Sequence, residues 1–248
     1  KTLRKVLFLI ICGLLAGYSD DVSFDIMDQV HYTKNRTKNA RKGKPMCGRY
    51  AITDPKEIFE IRMILEEIAE VFDTKTVNRI KLGDIYPSET AAVLAQTASG
   101  YKPYPMEWGY MLGGSSRRII NARTESIFEK PMFAGSLSAQ KCAIPCTGFY
   151  EWQKADGKSN PFFISLKDAP FFYLGGLYNR FRVGSDSLAA RFVVLTAPAD
   201  YSMQAIHHRM PLMISTGEKE RWLTQKEDIP ALIESLQNAP RELEIKAL

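Results

Sequence analysis

The sequence predicts an α+β fold in which a curved antiparallel sheet, or open barrel, carries peripheral helices. Short apolar runs bounded by turn residues follow one another through the middle of the chain. No long helical segments alternate with them, so we expect hairpin-connected strands and not a doubly wound parallel sheet. Helical spacing of apolar residues occurs before these runs and again after them. The 248 residues suffice for a single domain of roughly 200 residues with a proper core.

The first helix is predicted to follow Asp54, which has the character of an N-cap, with Pro55 at the first helical position and Glu57 at the third. The apolar residues that follow share one helical face: Ile61, Ile64, Leu65, Ile68 and Phe72.

Nine segments have the composition of strands, and we expect them at residues 91–94, 105–110, 118–122, 143–144, 148–153, 161–166, 171–177, 192–197 and 211–214. Asp156-Gly157 predicts a tight hairpin between the fifth and the sixth of these. Residues 218–223 and 228–236 have helical spacing and close the chain.

Residues 1–45 differ in character from the rest and are predicted to be a leader and linker outside the core. Basic residues precede an apolar run at 6–15 that is too short to span a membrane as a helix and resembles a secretion signal, without a clear cleavage site. A solvated basic run follows at 34–44. Three explanations stay open: translation starting at Met46, a cleaved propeptide, or a genuine exported form. The domain is expected over residues 46–248.

The charge is unevenly distributed along the chain. Residues 1–45 hold nine of the 33 basic and four of the 28 acidic residues, which leaves 24 of each sign from Met46 onward. A neutral domain cannot hold nucleic acid by bulk attraction, so DNA binding would depend on local clusters of arginine.

The four cysteines do not predict a disulfide scaffold in a chain of this length. Cys142 and Cys146 have C-x3-C spacing, but a single pair with Pro145 between its members is a poor zinc site. We therefore expect buried thiols, a cytosolic compartment, and neither a metal nor a cofactor.

Cys47 follows Met46 directly and precedes Gly48 and Arg49. If Met46 were the initiator and were removed, Cys47 would carry a free α-amine and a thiol on adjacent carbons, and both can attack the same aldehyde in succession. The alternative is that Cys47 is a small buried hydrophobe, as most free cysteines are.

Five motifs occur in a fixed order along the domain. They are Met46-Cys47-Gly48-Arg49, Asn121-Ala122-Arg123-Thr124-Glu125, Gly148-Phe149-Tyr150-Glu151-Trp152, Leu195-Thr196-Ala197 and His207-His208-Arg209-Met210-Pro211. This set and its order resemble the SOS-response-associated peptidase (SRAP) family, whose members bond covalently to abasic sites in single-stranded DNA. The resemblance runs from Met46 to near the C-terminus.

The resemblance implies four catalytic residues, Cys47, Asn121, Glu151 and His207. Asn121 would orient the Cys47 amine or a sugar hydroxyl, and His207 would take the catalytic position of the family's H-x-R-M-P pattern. Strand alternation independently places Glu151 on the same face as Phe149, where a carboxylate is poorly solvated, so we expect a raised pKa and a role as proton donor.

The resemblance and the residue types also predict a DNA-binding set: Arg49, Arg123, Arg209, Trp108, Trp152 and Thr196. The arginines would grip phosphates, and the tryptophans would stack on or wedge beside bases. Two segments depart from the family pattern: Ile85-Tyr86-Pro87-Ser88 replaces an N-x-A-P-like turn, and Lys130 stands where some members have arginine. These departures concern local DNA contacts and not the chemistry.

The predicted partner is single-stranded DNA that contains abasic sites, and the predicted product is a thiazolidine cross-link made by an N-terminal Cys47, with minor strand-cleaving lyase activity. Autoproteolysis before Cys47 could expose its amine. Two alternatives stay open: a cysteine-type hydrolase with His207 as its base, and a non-covalent module for modified DNA. We expect a cytoplasmic, nucleoid-associated monomer without a membrane partner, exported only if the leader is genuine.

Overall fold

The structure, a computed structural model, describes residues 47–111, 117–155, 157–183 and 187–248. The predicted leader and linker at 1–45, and Asp156 of the predicted hairpin, lie outside these residues.

The described residues form five α-helices and fifteen strands. The helices are α1 (Phe59–Val71), α2 (Thr74–Val77), α3 (Pro131–Ala134), α4 (Lys219–Thr224) and α5 (Ile229–Asn238). The strands are β1 (Tyr50–Ile52), β2 (Gly83–Ile85), β3 (Thr90–Thr97), β4 (Gly100–Trp108), β5 (Tyr110–Met111), β6 (Arg118–Ile119), β7 (Asn121–Arg123), β8 (Lys141–Cys146), β9 (Gly148–Ala155), β10 (Lys158–Leu166), β11 (Phe172–Val183), β12 (Ser187–Pro198), β13 (Arg209–Pro211), β14 (Met213–Ile214) and β15 (Leu243–Ala247).

Five strands close into a ring in the order β12-β4-β3-β8-β11, because β11 also pairs with β12. Four of the five pairings in this ring are antiparallel, and β4 runs parallel to β12. The predicted α+β class with a curved, mainly antiparallel sheet is therefore confirmed. The ring is closed where an open barrel was the expectation, and closure leaves these five strands without a free edge.

Buried residues of four of these strands, and a close approach at one glycine, form the core of the ring. Every residue of β8 is buried, as are residues 91–96 of β3, the first half of β11 (172–177) and the second half of β12 (192–197). At Gly176 a Cβ atom would come within 2.7 Å of both a side-chain carbon of Ile144 and the carbonyl oxygen of Val193, so glycine permits this close approach. The Trp108 ring stacks on Phe192 with centroids 6.1 Å apart.

A second sheet has the order β15-β10-β9-β1-β2 and is antiparallel throughout. It brings β1, which directly follows Cys47, beside β9, which carries Glu151. The paired ends of β9 and β10, Ala155 and Lys158, confirm the predicted hairpin position, and Gly157 has φ 73°.

The first helix begins later than predicted. Asp54 has φ 48°, and its carbonyl oxygen accepts a hydrogen bond from the Glu57 N–H at 3.0 Å, so residues 54–57 form a turn. The helix starts at Phe59 and buries Ile61, Ile64 and Ile68, the core of the predicted apolar face.

Candidate active site

The pairing of β1 with β9 brings together two residues that are 104 positions apart. Tyr50 lies opposite Phe149, and the N–H of Tyr150 donates to the carbonyl oxygen of Arg49 at 2.9 Å. The chain preceding β1 therefore continues alongside β9, and the backbone N–H of Cys47 donates a hydrogen bond to Oε1 of Glu151 at 2.8 Å.

Glu151 lies on the buried face of β9, as alternation predicts. Phe149 and Glu151 are buried, whereas Tyr150 and Trp152 between and beyond them are half-buried. Burial raises the pKa of the Glu151 carboxyl from 4.5 to about 7, against the opposing effect of the hydrogen bond from Cys47. This carboxyl can therefore exchange protons near neutral pH.

Cys47 is fully buried and has φ 43°, in the left-handed region that non-glycine residues seldom adopt. Burial raises the pKa of its thiol well above the usual range, and negative charge on Glu151 and Cys146 acts in the same direction. The thiol is consequently protonated at neutral pH until something nearby lowers its pKa.

Three of the predicted motifs meet along β12. Strand β7 runs parallel to β12 and places Asn121 opposite Val194 and Arg123 opposite Thr196. Strand β13 pairs with the same stretch and places Pro211 opposite Thr196 and Arg209 opposite Pro198. The motifs of Asn121 and Arg209 are therefore held on the two strands that flank this end of β12.

His207 precedes β13, and its ring is oriented by the backbone. The Arg209 N–H donates to Nδ1 of His207 at 3.1 Å. The same Nδ1 lies 3.2 Å from the carbonyl oxygen of Arg209, which can only accept, so the backbone places both a donor and an acceptor at Nδ1 and does not determine which ring nitrogen carries the hydrogen. His207 is half-buried and His208 is exposed, with ring centroids 4.4 Å apart. Partial burial lowers the pKa of His208, and the positive charges of His207, Arg209 and Arg123 lower it further.

One contact ties the His207 segment to the strand of Glu151. Gln153 lies two residues beyond Glu151 on β9, and its Nε2 donates to the carbonyl oxygen of Ala205 at 2.9 Å. The segment leading to His207 is thereby held against β9. Among the hydrogen bonds of the described residues, none joins Cys47 to His207 directly.

Three members of the predicted DNA-binding set, Arg209, Thr196 and Trp108, are buried in the structure, and their contact with DNA stays a prediction. Nη2 of Arg209 donates to Oε2 of Glu125 at 2.8 Å and to the carbonyl oxygen of Thr196 at 2.5 Å, and the hydrogen bonds from Arg209 lower the pKa of Glu125 to about 2. Thr196 is itself buried, and Nε1 of buried Trp108 donates to the carbonyl oxygen of Ile120 at 3.0 Å. These side chains stabilise the site from within.

The other three members reach the surface, where their role in binding DNA stays a prediction. Arg123 is exposed and Trp152 is half-buried. Arg49 is partly exposed and forms an ion pair with Asp84, whose other carboxylate oxygen accepts a hydrogen bond from the Tyr150 hydroxyl at 2.7 Å.

Sequence reasoning missed both acidic partners of these arginines. Glu125 lies within the motif that begins at Asn121, but its role as the partner of Arg209 has no signature in the sequence. Asp84 lies in a three-residue strand, β2, that no apolar pattern indicated.

No three histidine, cysteine or carboxylate side chains come together as potential metal ligands in the part of the chain that the structure describes. None of the described helices combines the length and apolar character needed to cross a membrane.

Comparison with known proteins identifies one matching family and several similar proteins. The family model described as SOS response associated peptidase (SRAP) matches residues 46–248. The abasic site processing protein YobE of Bacillus subtilis is 30% identical over 159 residues, which cover 62% of this chain and 73% of the relative. The abasic site processing protein YedK of Escherichia coli is 27% identical over 185 residues, which cover 73% and 81%.

Solved structures show the same fold. A protein of Bacteroides thetaiotaomicron has a TM-score of 0.64 at 20% identity, with 82% of this chain and 92% of that chain covered. A protein of Bordetella bronchiseptica has a TM-score of 0.62 at 20% identity, with 82% and 99% covered.

Proposed function

Because the chain belongs to the SOS response associated peptidase (SRAP) family, we propose that it processes abasic sites in single-stranded DNA by bonding to them through Cys47. The relatives described above are named abasic site processing proteins. The observation that carries the proposal is the 2.8 Å contact between the Cys47 nitrogen and Glu151, a buried carboxyl whose pKa is raised to about 7.

The chemistry requires a free amine at Cys47. In a chain that continues through Met46, the Cys47 nitrogen is an amide and is not nucleophilic. Removal of Met46 and everything before it, by initiation at Met46 or by cleavage of the Met46–Cys47 bond, would convert the same nitrogen into an α-amine. Such an amine titrates near pH 7.7–8.0, so a useful fraction is unprotonated at neutral pH.

The first step forms an imine. The neutral carboxyl of Glu151 gives a proton to the ring oxygen of the abasic deoxyribose as the bond from that oxygen to C1′ breaks. The C1′ hydroxyl gives its proton to the Glu151 carboxylate, which leaves an aldehyde and restores the neutral carboxyl. The Cys47 amine adds to C1′, and Glu151 protonates the departing hydroxyl, so that loss of one water gives the protonated imine and a Glu151 carboxylate. A carboxyl that is half protonated near pH 7 suits both directions of this proton transfer.

The second step closes the thiazolidine. The protonated imine carries positive charge close to the Cys47 thiol, and this charge lowers the thiol pKa that burial had raised. The sulfur adds to C1′ as the thiol proton passes to the Glu151 carboxylate, and the imine nitrogen becomes a neutral amine. Aldehyde, amine and thiol thus give thiazolidine and one water, so burial of the thiol favours the order amine first, sulfur second.

His207 and Asn121 would hold the sugar during these steps. Because the backbone of Arg209 engages Nδ1 of His207, Nε2 is the ring nitrogen that would hydrogen-bond a sugar oxygen or hydroxyl. Exposed Arg123 would contact a phosphate nearby. If sulfur addition is slow, the imine can undergo β-elimination, which accounts for a minor lyase activity.

Two observations speak against a cysteine hydrolase in which His207 is the base. Among the described residues no hydrogen bond joins Cys47 to His207, whereas the base of a cysteine hydrolase must reach the thiol proton. Reactive peptidase cysteines also have lowered thiol pKa values, whereas burial raises that of Cys47.

The deciding experiment uses a chain that begins at Cys47 and single-stranded oligonucleotides with and without one abasic site. We expect a covalent adduct on denaturing gels with the abasic oligonucleotide alone. The same chain with one alanine placed before Cys47 is the matched control and should give no adduct. Equal adduct with intact DNA, or none with abasic DNA, would refute the proposal.

A further inference from the structure

Tyr86 is an exposed aromatic side chain on a turn that backbone contacts hold rigidly. Its ring belongs to a residue that is 45% exposed, directly after β2. The Tyr86 N–H donates to the Glu89 carboxylate at 2.8 Å, and the Ser88 N–H donates to the Trp108 carbonyl oxygen at 2.9 Å. Ser88 has φ 79°, a conformation that these contacts maintain. Such a turn presents the ring in a fixed position, so binding to it loses little conformational entropy.

The Tyr86 ring lies in a cluster next to the candidate active site. The Arg49 guanidinium carbon is 5.3 Å from the Tyr86 ring centroid and 3.9 Å from that of Tyr150. Arg49 is two residues from Cys47, and Tyr150 adjoins Glu151. Alternation points Tyr150 to the opposite face of β9 from Glu151, and β2 is an edge strand of its sheet. The cluster therefore lies at the sheet edge, on the opposite face of β9 from the buried carboxyl of Glu151.

The charge of the cluster is already compensated. Arg49 forms its ion pair with Asp84, and hydrogen bonds from Arg49 and Tyr150 outweigh the effect of partial burial and lower the pKa of Asp84. A phosphate would have to displace this carboxylate. Without rearrangement, the cluster presents an aromatic ring face beside a planar guanidinium. Both groups can stack on a nucleobase.

We propose that Tyr86 is a stacking site for the base next to the abasic nucleotide. This inference rests on the proposed function and adds a subsite to it. Because the cluster is neutral, stacking there contributes to affinity independently of salt, in contrast to a phosphate contact at Arg123. The base rests on the ring at the sheet edge while the abasic sugar reaches Cys47.

The test compares Tyr86→Ala and Tyr86→Phe in the chain that begins at Cys47. Binding of an intact single strand is measured by fluorescence anisotropy over a range of salt concentrations. We expect Tyr86→Ala to weaken binding about 10-fold with an unchanged salt slope, and Tyr86→Phe to bind as the wild type does, because stacking needs the ring and not the hydroxyl. A 2-aminopurine placed beside the abasic site should be quenched by the wild type and by Tyr86→Phe, and much less by Tyr86→Ala.

Phe59 provides a matched control. It is 65% exposed, and the Arg62 guanidinium carbon lies 5.3 Å from its ring centroid, the same distance as for Arg49 and Tyr86. Phe59→Ala should change neither affinity nor quenching. Urea unfolding midpoints of all variants establish that they are folded.

Wild-type affinity and quenching in Tyr86→Ala, with abasic cross-linking intact, would overturn the stacking site alone. A loss of affinity that also changes the salt slope would assign Tyr86 to a phosphate contact and would equally overturn it. Failure of the wild type to bind or cross-link any single strand would overturn the proposed function as well, so the two failures are distinguishable.

Discussion

Replacing Glu151 with glutamine should stabilise the protein above neutral pH while slowing its chemistry. Burial raises the pKa of this carboxyl from 4.5 to about 7. The folded state therefore binds the proton more tightly than the unfolded state does, so this group's contribution to stability is complete below pH 4.5 and is lost as the pH rises through 7. The shift of 2.5 pKa units corresponds to about 3 kcal/mol, and about 2.5 kcal/mol of it falls between pH 5 and pH 8.

Urea unfolding of the full chain at pH 5, 6, 7 and 8 measures this directly. The free energy of unfolding of the wild type should fall relative to Glu151→Gln by about 2.5 kcal/mol across this range, because glutamine cannot ionise. Glu244→Gln, at an exposed position in β15, is the matched control and should parallel the wild type. Parallel pH profiles for Glu151→Gln and the wild type would refute the assignment of a raised pKa.

Although Glu151→Gln should stabilise the fold above neutral pH, it should slow cross-linking by the chain that begins at Cys47. Loss of a general acid commonly slows a reaction by about 10²–10⁴-fold, so Glu151→Gln should form and release the adduct far more slowly. With increasing pH, the wild-type rate of cross-linking should rise as the Cys47 amine loses its proton and then fall as Glu151 loses its proton. The pH–rate profile of Glu151→Gln should lack this fall. Wild-type rates in both directions from pH 5 to 8 would make Glu151 a structural residue.

Three further changes test the rest of the site. Cys47→Ser in the chain that begins at residue 47 should abolish the stable adduct and leave an imine that borohydride traps; a stable adduct without the thiol would contradict thiazolidine closure. Arg123→Ala should lower the salt slope of single-strand binding by about one unit. Arg180→Ala should not, because Arg180 is an exposed arginine of β11 whose β12 partner, Ala190, lies about 20 Å along β12 from Thr196, the partner of Arg123. Arg209→Ala should cost about 2 kcal/mol of stability at pH 7. That cost should shrink as the pH falls towards 2, where Glu125 becomes protonated; an unchanged urea midpoint at pH 7 would mean that the ion pair is not structural.

The sequence predicted much of the fold because its strongest patterns are local. The helices α4 and α5 and most long strands lie close to their predicted positions, since apolar periodicity and turn residues determine them. Strands β1 and β2 were missed because three residues are too few to show alternation. Closure of the ring was also missed, because β12 pairs not only with β11, its neighbour in sequence, but also with β4, which is distant in sequence.

In the candidate site, too, features set by neighbouring residues were predicted, and features set by residues distant in sequence were not. Alternation within β9 was enough to predict that Glu151 is buried, because that inference needs only neighbouring residues. The orientation of Arg209 depends on Glu125, which lies 84 residues away in sequence, and a sequence alone cannot distinguish an arginine that binds phosphate from one that binds a carboxylate. Arg209 pairs with the Glu125 carboxylate, so its contact with DNA stays a prediction, and the motif that contains it lies beside the other motifs.

The arrangement of charges suggests where the selectivity of the proposed reaction arises. Arg49 and Arg209 are both compensated by carboxylates of the same chain, so they add little long-range attraction to a domain whose charges balance from Met46 onward. Docking of a single strand would then depend on short-range contacts, chiefly Arg123 and stacking at Tyr86, neither of which detects a missing base. An intact nucleotide offers no aldehyde to the Cys47 amine, whereas an abasic one does. Discrimination would therefore belong to the covalent step, in which Glu151 controls the protons, and not to the affinity of the first encounter.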